Sequence, residues 1–145
     1  MSTGLTQMVA RLLLAPAFAV AVAVLVKGYA DVGDGFSAGV IAALGILLQY
    51  VAFGWREAER LLPVRFAPAV AFGGLLLALV VAFAPALWGE EAFTHYPRPG
   101  NEPIHVGTLE LITAVAFDVG VFLLVFGAAV GAIRYAAQAG ERRLP

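Results

Sequence analysis

Charged residues divide this chain into long uncharged runs, and the length of those runs restricts the fold more than any other feature. Residues 35–55 and 66–89 contain 21 and 24 residues without an Asp, Glu, Lys or Arg. A helix needs about 20 consecutive apolar residues to cross the hydrocarbon core of a bilayer. Each of these two runs therefore predicts one transmembrane helix.

Two further runs have the same character. Residues 12–26 are uncharged, and the apolar stretch extends back to residue 5 if the Arg11 side chain reaches the membrane surface. The run 106–135 is long enough to cross with some tilt. The sequence thus predicts an all-α membrane protein with a single membrane domain, residues 1–145. Its four transmembrane helices are expected at about residues 5–26, 35–55, 66–89 and 106–135.

The composition excludes several classes of function. The chain is 61% hydrophobic and 13% charged, whereas a soluble domain is about 25% charged, so we expect a multi-pass protein of the cell membrane. A net charge of −1 gives no reason to expect a nucleic-acid partner. Cysteine is absent from the sequence, which excludes disulfides and thiolate metal sites. We predict no cofactor, no metal and no catalytic residue.

The basic residues predict the orientation in the membrane. With four spans, one side carries Arg11, Arg56, Arg60, Arg65, Arg134, Arg142 and Arg143. The other side carries only Lys27 and Arg98. Cytoplasmic loops are enriched in Lys and Arg, so both termini are predicted to be cytoplasmic.

Two acids, Glu110 and Asp118, fall inside the last of these apolar runs. An ionisable group at membrane depth is costly and commonly functional. On a continuous helix, Glu110 would lie near the outer boundary and Asp118 about 12 Å further along, near mid-membrane. Two acids so placed on one helix cannot flank a substrate bond, so we exclude catalysis by paired carboxylates.

Asp118 has two interpretations. The carboxyl group is either a structural hydrogen-bond anchor or part of a proton or cation route, with Glu110 and the Thr113 hydroxyl as further candidates. The other three spans contain no Lys or Arg at matching depth. We therefore expect Asp118 to be either neutral and hydrogen-bonded within the bundle or completed by another subunit.

The two outer loops carry the remaining candidate side chains. Asp31 and Asp34 lie in a short Gly-rich loop, which is either a simple turn or a cation-attracting, subunit-contacting segment. His95 and His105 lie in a longer Pro-rich loop, interpreted as an ordered contact with a neighbouring subunit. Two histidines ten residues apart give only a weak indication of a metal site.

Small residues spaced four apart mark the expected helix contacts, because they allow two helix backbones to approach closely in lipid. The candidate packing positions are Gly35, Gly39, Gly120, Gly127 and Gly131.

The last span also carries a motif. Glu110 is followed by Thr113-Ala and by Phe117-Asp118-Val-Gly120-Val, and Thr94-His95 lies in the loop before it. This pattern resembles the B subunit (MrpB/MnhB) of Mrp-type multisubunit Na⁺/H⁺ antiporters. The resemblance runs from about residue 22 to residue 132.

The resemblance implies a non-catalytic membrane subunit that helps assemble an antiporter and contributes to its Na⁺ route, with Na⁺ and H⁺ as transported ions. Its partners would be the other membrane subunits and the lipid bilayer. Two alternatives stay open from the sequence: an MnhB-like structural subunit of a redox-driven complex of the energy-converting hydrogenase type, and a free-standing small transporter or channel.

Overall fold

Four long helices form the molecule. The computed structural model describes residues 4–28, 33–96, 100, 102, 104–106, 109–111 and 113–141, the strand residues among them by their backbone. The helices are α1 (Gly4–Lys27), α2 (Gly35–Phe53), α3 (Trp55–Ala58), α4 (Leu62–Arg65), α5 (Ala67–Phe83) and α6 (Thr113–Glu141). A 3₁₀ segment, Ala84–Trp88, continues α5.

Four of these segments are long and apolar enough to cross a membrane: Gly4–Lys27, Gly35–Phe53, Ala67–Trp88 and Thr113–Gly140. Helices suit this role because every backbone N–H and C=O in lipid must be satisfied within the protein. The predicted all-α membrane fold with four spanning helices is confirmed, and the two short strands described next do not alter it.

The prediction that the fourth span begins near residue 106 is wrong. Strands β1 (Ile104–Val106) and β2 (Leu109–Leu111) pair antiparallel, with His105 opposite Glu110, and α6 begins only at Thr113. Both strand segments alternate apolar and polar residues, which is the period of a strand and not of a helix. Glu110 therefore precedes the membrane helix, and the expected helical spacing between Glu110 and Asp118 does not apply.

The end of α2 also differs slightly from the prediction. The helix stops at Phe53, two residues early, because Gly54 adopts a positive φ of 81° while its N–H still bonds to the Tyr50 carbonyl. A positive φ is accessible to glycine without a steric penalty. The chain therefore turns sharply into the short helices α3 and α4.

Helix α6 packs against α5 and α2, and α1 packs on α2. Glycines bring these backbones together. A methyl group added at Gly127 would lie 2.5 Å from the Ala67 carbonyl oxygen, and one at Gly120 would lie 2.9 Å from the Ala78 nitrogen. At Gly39 it would lie 3.0 Å from the Phe122 carbonyl oxygen.

The candidate packing glycines are not all equivalent. A methyl group at Gly35 would clash with Asp118, whereas one at Gly131 would meet no atom within 4 Å in the described part of the chain. Gly131 therefore makes no close helix contact within this part of the chain, and its predicted role in helix packing stays a prediction. Gly74 was not among the candidates, yet a methyl group there would lie 2.6 Å from the Gly120 carbonyl oxygen.

Candidate intramembrane acidic site

Asp118 is bound to the first residue of another helix. Its side chain is buried, with 5% of the residue exposed, and its Oδ1 accepts a hydrogen bond of 3.0 Å from the backbone N–H of Gly35. The first N–H groups of a helix have no partner within that helix. A carboxylate at this end also interacts favourably with the helix dipole. Asp118 of α6 thus acts as a capping group for α2.

Asp34 occupies the usual capping position of α2 but makes no side-chain cap hydrogen bond there. Its carboxylate instead lies 3.5 Å from the Lys27 ammonium group, whose side chain is 68% exposed. An ion pair this exposed contributes little to stability. Asp118, which is distant in sequence, therefore caps α2 in place of the adjacent Asp34. Asp31, the other predicted acid of this loop, lies outside the described residues.

The second carboxylate oxygen of Asp118 has a different environment. Oδ2 is buried and has no hydrogen-bond partner among the described residues. Two glycines make room for the carboxyl group: a methyl group at Gly28 would lie 2.8 Å from Oδ2, and one at Gly35 would lie 2.6 Å from Oδ1. A buried carboxylate oxygen without a partner is costly, so a cation or a hydrogen-bond donor beside Oδ2 would lower this cost.

The sequence predicted Asp118 near mid-membrane, but the residue lies near the start of α6 and not midway along this helix. It is level with Gly28, which follows α1, and with Gly35, which starts α2. The reason is the late start of α6, because Asp118 lies only five positions after Thr113, the first residue of its helix. The acid is therefore close to the end of the bundle that carries the loop between α1 and α2.

Thr113 and His95 meet at the same end of α6. The Thr113 hydroxyl accepts a 2.8 Å hydrogen bond from the Tyr96 N–H, and the Thr113 N–H donates to the Tyr96 carbonyl at 3.0 Å. His95 Nδ1 lies 3.4 Å from the same hydroxyl, and its ring packs near Phe117. These contacts fasten the loop to the start of the helix.

The structure does not bring all the candidate residues together. Five residues on a helix correspond to about 7.5 Å of rise and an offset of about 140°, so Thr113 and Asp118 face different directions. His105 and Glu110 lie opposite each other in the strand pair. Among the described side chains, no three His, Asp or Glu groups gather as a metal site would require.

Comparison with known proteins decides the family. A family model described as a domain related to the MnhB subunit of Na⁺/H⁺ antiporter matches residues 5–131. The chain belongs to this MnhB family.

Curated relatives agree with this assignment. The MnhB chain is 37% identical over 103 residues to the B subunit of the Na⁺/H⁺ antiporter of Alkalihalophilus pseudofirmus, covering 71% of this chain and 70% of the relative. Against the corresponding Na⁺/H⁺ antiporter protein of Bacillus subtilis it is 38% identical over 101 residues, covering 70% and 69%. It is 35% identical over 107 residues to a probable K⁺/H⁺ antiporter A/B protein of Rhizobium meliloti, covering 72% of this chain and 10% of that longer protein.

A second polar cluster of this MnhB chain was not predicted from the sequence. Glu59 lies in the turn after α3, and its Oε1 is 2.8 Å from Nε of Arg134. The same oxygen accepts hydrogen bonds from the Tyr50 hydroxyl at 3.2 Å and the Gln138 amide at 3.5 Å. The available signal was the spacing of Arg134 and Gln138, one helical turn apart on an otherwise apolar helix. Residues 134 and 138 lie beyond the segment that the family model matches.

Replacing Glu59 with glutamine is expected to lower the free energy of unfolding of the MnhB chain by about 1–2 kcal/mol. The side chains of Glu59 and Arg134 are only 16% and 34% exposed, and removal of one partner leaves a partly buried charge unpaired. Unfolding in detergent, followed by circular dichroism, measures the change.

Glu57→Gln is the matched control for this experiment. Glu57 lies 3.3 Å from Arg60, but the two side chains are 55% and 78% exposed. The loss of such a surface pair changes stability by about 0–0.5 kcal/mol. Equal effects of the two substitutions would contradict a stabilising role of the Glu59 cluster.

Proposed function

We propose that this chain is a non-catalytic membrane subunit of a multisubunit antiporter that exchanges a monovalent cation, Na⁺, for protons. The observation that carries this proposal is the MnhB family match over residues 5–131. The relatives described above are named as antiporter subunits, which favours this function over the redox-complex alternative. In one of them the named cation is K⁺, so the transport experiment should compare Na⁺ with K⁺.

The proposal assigns the chain two tasks. The first is assembly: the chain presents apolar helix faces to its surroundings in the membrane, and we propose that other antiporter subunits cover part of them. The second concerns the cation route, of which Asp118 forms one wall. Support for this role comes from its buried Oδ2, which has no hydrogen-bond partner among the described residues. A cation or proton there would offset the cost of burial.

The other candidate residues belong to the outer end of this proposed route. Thr113 begins α6 and Glu110 lies in β2 just before it. The basic residues favour an orientation with both termini in the cytoplasm, so this end of the bundle would face outward. In that arrangement the segments that carry Asp34, His95 and His105 lie on the outer side of the membrane.

Purification of the tagged chain from its native membrane tests the assembly role. We expect the other antiporter subunits to copurify in a defined complex. Everted vesicles from cells lacking this chain should lose Na⁺-dependent proton movement, and expression of the chain in those cells should restore it. Recovery of a discrete homo-oligomer without other subunits would contradict the proposal.

A further inference from the structure

Two adjoining cavities lie at the end of the bundle remote from Asp118. The first, of about 260 Å³, opens between α1, the end of α2 and the α3–α4 connection. The second, of about 370 Å³, extends along α1. Arg11, Leu14 and Leu61 line both cavities. Arg11 precedes Gly28 by 17 residues, which is about 25 Å of helix, so the two ends of the bundle carry separate sites.

The first cavity is positively charged. It is lined by Arg11, Arg60 and one acid, Glu57. The Arg11 guanidinium lies 4.9 Å from the centre of the Phe53 ring, which holds it beside the cavity. Arg60 pairs with Glu57 at 3.3 Å, but both side chains are largely exposed, so the pair is weak and Arg60 can turn to another anion. The cavity therefore has one net positive charge.

The second cavity is an apolar groove. Beyond the shared residues it is lined by Ala15, Phe18, Ile46 and Pro63. Phe18 lies seven residues after Arg11 on α1, which is about 10 Å toward the middle of the membrane. A basic site at the membrane surface thus leads directly into an apolar groove at greater depth. This combination matches an amphiphile with an anionic headgroup and an acyl chain.

We propose that Arg11 and Arg60 bind the phosphate of an anionic phospholipid, and that one of its acyl chains lies in the groove along Leu14, Phe18 and Leu61. Guanidinium groups suit phosphate because they donate several hydrogen bonds in a planar geometry. Among the described residues, this end of the bundle carries five of the six basic side chains: Arg11, Arg56, Arg60, Arg65 and Arg134. It is predicted to face the cytoplasmic leaflet, where anionic lipids attract basic side chains. The proposal does not depend on antiport activity.

Native mass spectrometry of the purified full chain, titrated with phosphatidylglycerol or phosphatidylcholine in detergent, tests the headgroup preference. We expect tighter binding of phosphatidylglycerol. Arg11→Gln and Arg60→Gln should each weaken it about fivefold, since a basic residue near an anionic lipid is worth about 1 kcal/mol. Arg56→Gln is the matched control: it removes the same charge from the same region, but Arg56 does not line either cavity. Glu57→Gln should leave binding unchanged or strengthen it.

Photo-crosslinking tests the position of the acyl chain. Phosphatidylglycerol with a diazirine in its acyl chain, added to the purified chain and to the membrane-extracted protein with any copurifying subunits, should label residues 11–18 and 61–63. Labelling confined to other segments would overturn the proposal. Equal losses of lipid binding in the Arg56 and Arg11 variants would also overturn it. The same holds if inorganic phosphate displaces the bound lipid in the mass spectra.

Discussion

Replacement of Asp118 by leucine is expected to abolish antiport and to lower the free energy of unfolding by about 2–3 kcal/mol. Leucine cannot accept the hydrogen bond from the Gly35 N–H, and an unsatisfied buried donor alone costs about 1–3 kcal/mol. The leucine side chain would also be bulkier beside Gly28 and Gly35, where the carboxyl group already fills the space. We expect α2 and α6 to separate at this end.

Asp118→Asn separates the two roles of this residue. The asparagine side-chain carbonyl can still accept the Gly35 hydrogen bond, so stability and assembly with the other subunits should remain close to those of the wild type. The amide has no negative charge to compensate a cation, so we expect Na⁺-dependent proton movement to fall by roughly tenfold or more. Fluorescence of a pH-sensitive dye in everted vesicles measures this activity.

Asp34→Asn is the control for charge removal at the same end of the bundle. The Asp34 carboxylate pairs with the exposed Lys27, so this variant should retain stability, and any loss of transport should be much smaller than in the Asp118→Asn variant. Full transport in the Asp118→Asn variant would reduce Asp118 to a helix anchor and would contradict its place on the cation route. Loss of assembly in that variant would instead show that the carboxylate itself is needed for the fold.

The second large effect concerns the contact between α5 and α6. Gly127→Ala is expected to lower the free energy of unfolding by about 1–3 kcal/mol, because the new methyl group would lie 2.5 Å from the Ala67 carbonyl oxygen and the Ala71 nitrogen. Both atoms belong to the backbone of α5, which cannot yield as a flexible side chain does. Unfolding of the purified chain by denaturing detergent, followed by circular dichroism, measures the loss.

Gly131→Ala makes the same change one turn further along the same helix. A methyl group there meets no atom within 4 Å among the described residues, and alanine favours a helix over glycine by up to about 1 kcal/mol. The variant should be as stable as the wild type or slightly more stable. A second pair of variants on α5 makes the same comparison. A methyl group at Gly74 would lie 2.6 Å from the Gly120 carbonyl oxygen, whereas one at Gly73 meets no atom within 4 Å among the described residues, so Gly73→Ala is the control for Gly74→Ala. Equal losses at Gly127 and Gly131 would show that close backbone contact does not explain the effect.

Much of the fold could be predicted from the sequence because charges bound the first three spans. The predicted limits 5–26, 35–55 and 66–89 differ from the helical spans by at most two residues at each end. The fourth span was harder. Residues 104–111 carry few charges and therefore resemble an extension of the membrane helix, whereas their alternating pattern pairs them as strands.

The site could be predicted only in part. The motif identifies Asp118, and the sequence shows that no Lys or Arg lies at matching depth in the other spans. The sequence could not identify the observed donor, the backbone N–H of Gly35, because a backbone group is common to nearly all residue types. Of the two alternatives that the sequence left open, a hydrogen bond within the bundle is the one found at Oδ1. The contact between Glu59 and Arg134 could not be predicted for a related reason. The two residues are 75 positions apart in the sequence, and only the packing of α6 brings them together.

The glycine contacts also determine how this protein can move. Where Gly74 meets Gly120, and where Gly127 meets Ala67 and Ala71, the two backbones touch without an intervening layer of side chains. Such a contact cannot repack, so α5 cannot slide along α6 without a collision, and force applied to one helix is transmitted directly to the other. Helix α1 has much less of its apolar segment buried than α2, 11% against 50%. We therefore expect that, if helices of this chain are displaced relative to one another, α1 moves more readily than α5 moves against α6.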